Sequence, residues 1–201
     1  MMSARPPALQ TFIDLAETAL RAHALDPASV ASIDRSFNAL RTPSHTAERP
    51  AARLPIVNDW LEKAISLDDL SDDLSALTDA FWQIEPLIHW RPRTGDTANA
   101  SDSFADGHAN AMIIGPGGIE ARTDVWIGAS LLAPHVRYPD HTHPPEETYL
   151  VLTPGEFSQD DGPWFEPGVG GSFYNRPGIL HAMRAGEVPL FAVWLLRAEE
   201  A

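Results

Sequence analysis

The 201 residues include no cysteine. That absence removes disulfides, thiolate nucleophiles and every cysteine-ligated zinc or iron–sulfur site together. Positive charge is scarce too: 14 Lys and Arg stand against 28 Asp and Glu, a net charge of −14 with histidine neutral. A chain this acidic has little with which to neutralise phosphates, which argues against nucleic acid and against docking on anionic membranes. No apolar run approaches the roughly 18 residues that a membrane span requires. Asp14 and Glu17 interrupt the segment where a signal peptide would carry its apolar stretch. A soluble, cytoplasmic protein is expected. Glycine is missing from the first part of the chain, Gly95 being the first of 13. What remains is an ordinary globular composition, 44% hydrophobic and 21% charged, enough to build a core without staples.

The two halves carry different periods. Leu9, Phe12, Ile13, Ala16 and Leu20 mark one face of a helix. Asp26-Pro27 supplies an N-cap and a first-turn proline, and Val30, Ile33, Phe37 and Leu40 follow at helical spacing until Pro43. Pro55 opens a third stripe of Val57, Trp60, Leu61, Ala64 and Ile65. A fourth, of Leu67, Leu70, Leu74, Leu77, Phe81 and Ile84, runs to Pro86 with Ser71 as its candidate cap. Beyond Pro86 short β-rich runs alternate with Gly and Pro turns. Strands are expected at residues 111–114, 124–132, 147–152, 171–174, 181–184 and 190–196, after a polar loop over residues 91–107. The expected fold is mainly β: a small β-barrel at 87–201 carrying a helical N-terminal layer at 1–86, the two forming one compact unit.

Chemistry concentrates in Tyr138-Pro-Asp-His141-Thr-His143-Pro-Pro-Glu146-Glu147-Thr-Tyr149. His141 and His143 are two apart, so an extended chain turns both to one face. Glu147, Tyr149 and Val151 repeat that arrangement on the next strand, where Glu146 would face the other way. His141, His143 and Glu147, with His181 from a later strand, suit one divalent transition metal: Fe, Zn, Mn, Co or Ni. The other histidines, His23, His45, His89, His108 and His135, read as ordinary surface or core residues.

The spacing His-x-His-x3-Glu with Gly155 after it resembles the first cupin motif. Gly171-x5-Pro177 through His181 resembles the second, one residue shorter before the histidine and with Ala185 where an asparagine is usual. Tyr138, His141, His143, Glu147, Tyr149 and His181 together resemble, in order and spacing, the active-site set of cupin-type dimethylsulfoniopropionate (DMSP) lyases of the DddQ kind. That resemblance implies a cupin barrel, a metal held by three His and one Glu, and cleavage of DMSP to dimethyl sulfide and acrylate. It implies Tyr149 as general base, with Tyr138 as the second candidate for proton transfer or substrate fixing. In some such lyases the histidine matching His141 lies beside the metal and the tyrosine matching Tyr149 takes its coordination place. The sulfonium would seek an aromatic face, and Trp82, Trp126 and Trp194 are candidates. Other readings are a different metal-dependent cupin enzyme, a dioxygenase or isomerase, and a non-catalytic ligand-sensing cupin. No seam in the sequence decides the oligomeric state.

Overall fold

The computed structural model describes residues 5–46, 49–66 and 70–198. Four helices come first: α1 (Pro7–His23), α2 (Pro27–Leu40), α3 (Pro55–Ile65) and α4 (Asp72–Ile84). Asp26 caps α2 by accepting from the backbone N–H of Ala28 at 2.6 Å and of Ser29 at 3.3 Å. Pro7, Pro27 and Pro55 each begin a helix, where the missing N–H costs nothing. Ser71 stands at the N-cap of α4, but its hydroxyl donates to Asp73 at 2.6 Å and makes no cap bond.

The expected stripes are buried, Trp60 and Leu70 only partly, with one correction. Val30 is 40% exposed, and α2 turns Ser29, Ser32 and Ser36 inward beside Ile33, Phe37 and Leu40. That face lies against strands, where small side chains permit close approach, and apolar spacing passes over serine. Leu67 lies outside the described residues.

The strands are β1 (His45–Thr46), β2 (Trp90–Arg91), β3 (His108–Ile114), β4 (Glu120–Ala121), β5 (Val125–Leu132), β6 (Glu146–Val151), β7 (Glu156–Gln159), β8 (Ser172–Asn175), β9 (His181–Arg184) and β10 (Leu190–Arg197). The large sheet runs β1-β4-β3-β5-β10-β6-β8 with β2 beside β3, and β7 pairs with β9 in a second sheet. This is a mainly β-fold with a helical layer, as expected. Among the described residues it forms two sheets rather than one closed hydrogen-bonded barrel. β3 begins three residues earlier than its apolar run, and β7 escapes the sequence pattern because Phe157 is its one apolar residue. The expected loop of 91–107 is partly ordered: Arg91 pairs with Asn110, and a short helical turn spans Asp102–Phe104.

Strand alternation divides the large sheet into two chemistries. On β10, Phe191, Val193 and Leu195 join the core beneath the helices, while Leu190, Ala192 and Trp194 face the other way. On β6, Leu150 joins the helical side, and Tyr149 and Val151 join the opposite side. Phe81 of α4 ties the layers together. Its ring meets Phe12, Trp90 and Phe191 edge-on, with centroids 6.3, 6.1 and 5.2 Å away. Among the described residues no helix is long and apolar enough to cross a membrane.

Candidate active site

Three histidines meet on the face away from the helices. His141 and His181 are brought together by reciprocal backbone hydrogen bonds of 3.0 and 2.9 Å, which attach the loop before β6 to β9. Each imidazole then uses Nδ1 on a backbone carbonyl: His141 on Pro139 at 3.0 Å, His143 on Pro145 at 2.9 Å, His181 on Ile179 at 3.0 Å. A carbonyl only accepts, so each Nδ1 carries a proton, and in the neutral ring Nε2 is left with a lone pair. One ligand atom from each of the three lies within 4.8 Å of the others, and Nε2 of His181 is buried without a hydrogen-bond partner. Backbone bonds that fix tautomer and ring orientation are the usual support of metal-ligating histidines.

Glu147 completes the cluster. Its Oε2 stands 3.4 Å from Nε2 of His143 and 3.3 Å from Nε2 of His181. Burial disfavours the carboxylate, yet the two imidazoles overcome it and hold Glu147 well below the usual carboxyl range. Burial likewise opposes protonation of His143, but Glu147 raises its pKa. Burial, with His181 beside it, pushes His141 down to about 3. Three oriented imidazoles and an ionised carboxylate fit a divalent transition metal. Glu146 turns outward to Arg35 at 2.5 Å and the Tyr174 hydroxyl at 2.6 Å.

Spacing alone missed the support behind Glu147. Asn175, its register partner on β8, donates to Oε2 at 2.9 Å, and Gln159 donates to Oδ1 of Asn175 at 2.6 Å. The signal was thin: an asparagine two residues before Pro177.

Both tyrosines line the same cavity of about 380 Å³, together with His143, Glu147, Trp126 and Trp194. Tyr149 is buried, stacked on Phe173 with centroids 5.1 Å apart. Burial, Glu147 and Tyr138 all push its phenol well above the ordinary value. Tyr138 accepts from Nδ2 of Asn110 at 2.9 Å, and Asn110 in turn accepts from Ser130 at 2.8 Å. Burial raises its pKa, against the opposing charge of Arg93. Of the three candidate tryptophans, Trp126 and Trp194 reach the cavity, while Trp82 packs against the helical core. Trp194 lies opposite Gly128 in register, where an added Cβ would come within 2.2 Å of the indole. Glycine there leaves room for the ring.

His23, His89 and His135 serve surface contacts, to Asp73, Pro50 and Glu187 respectively. His108 departs from that pattern. It is buried beside the cavity wall, stacked on Phe104 at 3.7 Å, with both ring nitrogens engaged.

Comparison with known proteins gives the family. The family described as dimethylsulfoniopropionate lyase matches residues 28–192. The chain belongs to the DMSP lyase family. A curated member, dimethylsulfoniopropionate lyase DddQ of Ruegeria pomeroyi, is 29% identical over 126 residues, 62% of this chain and 62% of that protein. The match thus spans less than two thirds of this curated relative. The crystal structure of DMSP lyase DddQ from Ruegeria pomeroyi DSS-3 superposes with a TM-score of 0.66 at 26% identity, covering 98% of this chain and 95% of that one. A structure reported among crystal structures of the DMSP lyases RdDddP and RnDddQII gives a TM-score of 0.70 at 22% identity, over 95% and 92% of the two chains. The latter likeness is one of fold. The DMSP lyase family therefore supplies both the helical layer and the β-fold beneath it.

Proposed function

We propose that the protein is a carbon–sulfur lyase that cleaves DMSP to dimethyl sulfide and acrylate, with one divalent transition metal held by His141, His143, Glu147 and His181. The observation that carries the reading is the cluster of three Nδ1-anchored imidazoles beside Glu147, with His143, Glu147 and both tyrosines lining one cavity. Family membership selects this reaction over the dioxygenase, isomerase and sensor readings that the same ligands would suit. The helical layer and the β-fold act as one unit in this reading, because Phe81 is packed against both.

The reaction is a β-elimination. A proton leaves the carbon next to the carboxylate, its electron pair forms the C=C bond, and the C–S pair departs with neutral dimethyl sulfide. When bound, the metal supplies positive charge that stabilises the carboxylate end as negative charge develops and favours the nearby phenolate. Tyr149 takes the proton. Its side chain is buried, with the ring packed on Phe157 and Phe173, so the phenolate forms only where a cation compensates it. Tyr138, fixed by Asn110, orients the substrate or passes the proton on. Trp126 and Trp194 offer aromatic faces to the sulfonium, which has no hydrogen-bond donor.

The test is the release of dimethyl sulfide and acrylate from DMSP by purified protein, before and after chelator stripping and reloading with single metals. Equimolar products that vanish on stripping and return with metal support the proposal. A folded, metal-loaded sample that releases neither product refutes it.

A further inference from the structure

Arginine carries most of the positive charge of this chain, and among the described residues ion pairs with Asp or Glu engage arginines such as Arg5, Arg122 and Arg184. Arg93 makes no such pair among the described residues. It lines the cavity beside Tyr138, with its Cζ 5.6 Å from the centroid of that ring. Its Nε is buried and has no hydrogen-bond partner. Elsewhere in the molecule a buried guanidinium is well supplied with acceptors: Arg5 reaches both carboxylate oxygens of Glu120, the Leu40 carbonyl and Gln10. A donor drawn out of water with no acceptor is costly unless an acceptor arrives with a ligand.

The backbone of Arg93 is held as firmly as a ligand-binding loop requires. His108 donates from Nδ1 to the Phe104 carbonyl and accepts the Arg93 N–H on Nε2 at 2.7 Å. The imidazole is therefore neutral, sandwiched by its own hydrogen bonds and flat on Phe104 at 3.7 Å. Two residues earlier Arg91 pairs with Asn110 on β3, and Asn110 is the residue that fixes the Tyr138 hydroxyl. One short stretch thus sets a guanidinium and a tyrosine at the same wall.

The geometry points to Arg93 as the counter-ion of the substrate carboxylate, with His108 as the positioning residue that holds its loop. A planar guanidinium pairs with a carboxylate through two parallel N–H···O bonds, giving direction as well as charge. The consequence is a place for the anionic end of the ligand, at the wall formed by Arg93 and Tyr138. The inference rests on the lyase reading only for the identity of the substrate, since the same wall would hold any small carboxylate.

R93Q and R93K, each loaded with the same metal as the parent, are compared for DMSP turnover and for calorimetric binding of acrylate and propionate. Trimethylsulfonium serves as a cation without a carboxylate. R93Q is expected to raise KM for DMSP and the Kd of both carboxylates about tenfold or more, with a smaller change in kcat. R93K keeps part of the affinity, and trimethylsulfonium binds R93Q at least as well as the parent. Carboxylate Kd values within about twofold of the parent in folded R93Q overturn the inference. If the parent releases no dimethyl sulfide, the lyase reading fails while the propionate measurement still decides the role of Arg93. For His108, H108Q keeps a donor and an acceptor and retains propionate binding, whereas H108F keeps the stack and loses it. A double variant R93Q/H108F that binds propionate no worse than R93Q supports action through Arg93. Weak binding by H108Q, or further loss in the double variant, overturns the positioning role.

Discussion

Asn175 donates its side-chain amide to Oε2 of Glu147 at 2.9 Å, and the two residues are register partners on β8 and β6. Strand pairing therefore delivers the orienting group directly to the carboxylate. Outer partners of this kind typically govern metal affinity by about 10–100-fold. N175A is expected to retain the fold and to lose metal by about that factor to a competing chelating dye. Affinity equal to the parent would remove Asn175 from the proposed metal site.

Tyr149 differs from Tyr138 in its surroundings: it lies beside Glu147 and under Phe173, whereas Tyr138 is bonded to Asn110. Y149F is expected to lower dimethyl sulfide formation by about 10²–10⁴-fold, the usual span for losing a general base. Metal content, measured on the same sample, should be unchanged. If Y138F abolishes turnover while Y149F retains it, the two roles are exchanged.

Phe81 is fully enclosed between α1, β2 and β10, so its truncation leaves a cavity that the neighbouring rings cannot fill. F81A should cost about 3–5 kcal/mol in urea unfolding. A loss below about 1 kcal/mol would mean that helices and sheet are not packed through this ring.

Asp124 links two arginines. Hydrogen bonding to Arg122 foremost, helped by Arg197, holds its carboxyl at about 2. The folded pKa lies below the unfolded value of about 3.9, so the stabilisation is complete above that value and is lost as pH falls toward 2. The melting temperature of D124N should lie below that of the parent by a constant margin from pH 7 to 5. The gap should narrow through pH 4 and 3. A gap that stays constant to pH 3 would assign the loss to packing rather than charge.

Local pattern was enough for much of this. Leu9, Phe12, Ile13, Ala16 and Leu20 announced the buried face of α1, and Asp26-Pro27 its neighbour's start, because capping and periodicity act within a few residues. His-x-His and Glu-x-Tyr could be assigned to one side of the chain for the same reason, since strand alternation is a property of the backbone itself. Val30, buried by pattern but exposed in fact, shows the limit: which side of a helix is covered depends on what packs there.

Only the folded chain could bring His181 against His141, pair Asn175 with Glu147 and tie Arg93 to His108. These contacts join residues separated by 40, 28 and 15 positions, and no local spacing encodes them. His108 illustrates the difference best. By sequence it is one histidine among eight, and its role comes from the ring and carbonyl of Phe104 and the N–H of Arg93. The chain's own chemistry names the groups that can bind a metal or an anion. Sheet register and loop docking decide which of them meet, because the free energy that aligns them is spread over the whole core.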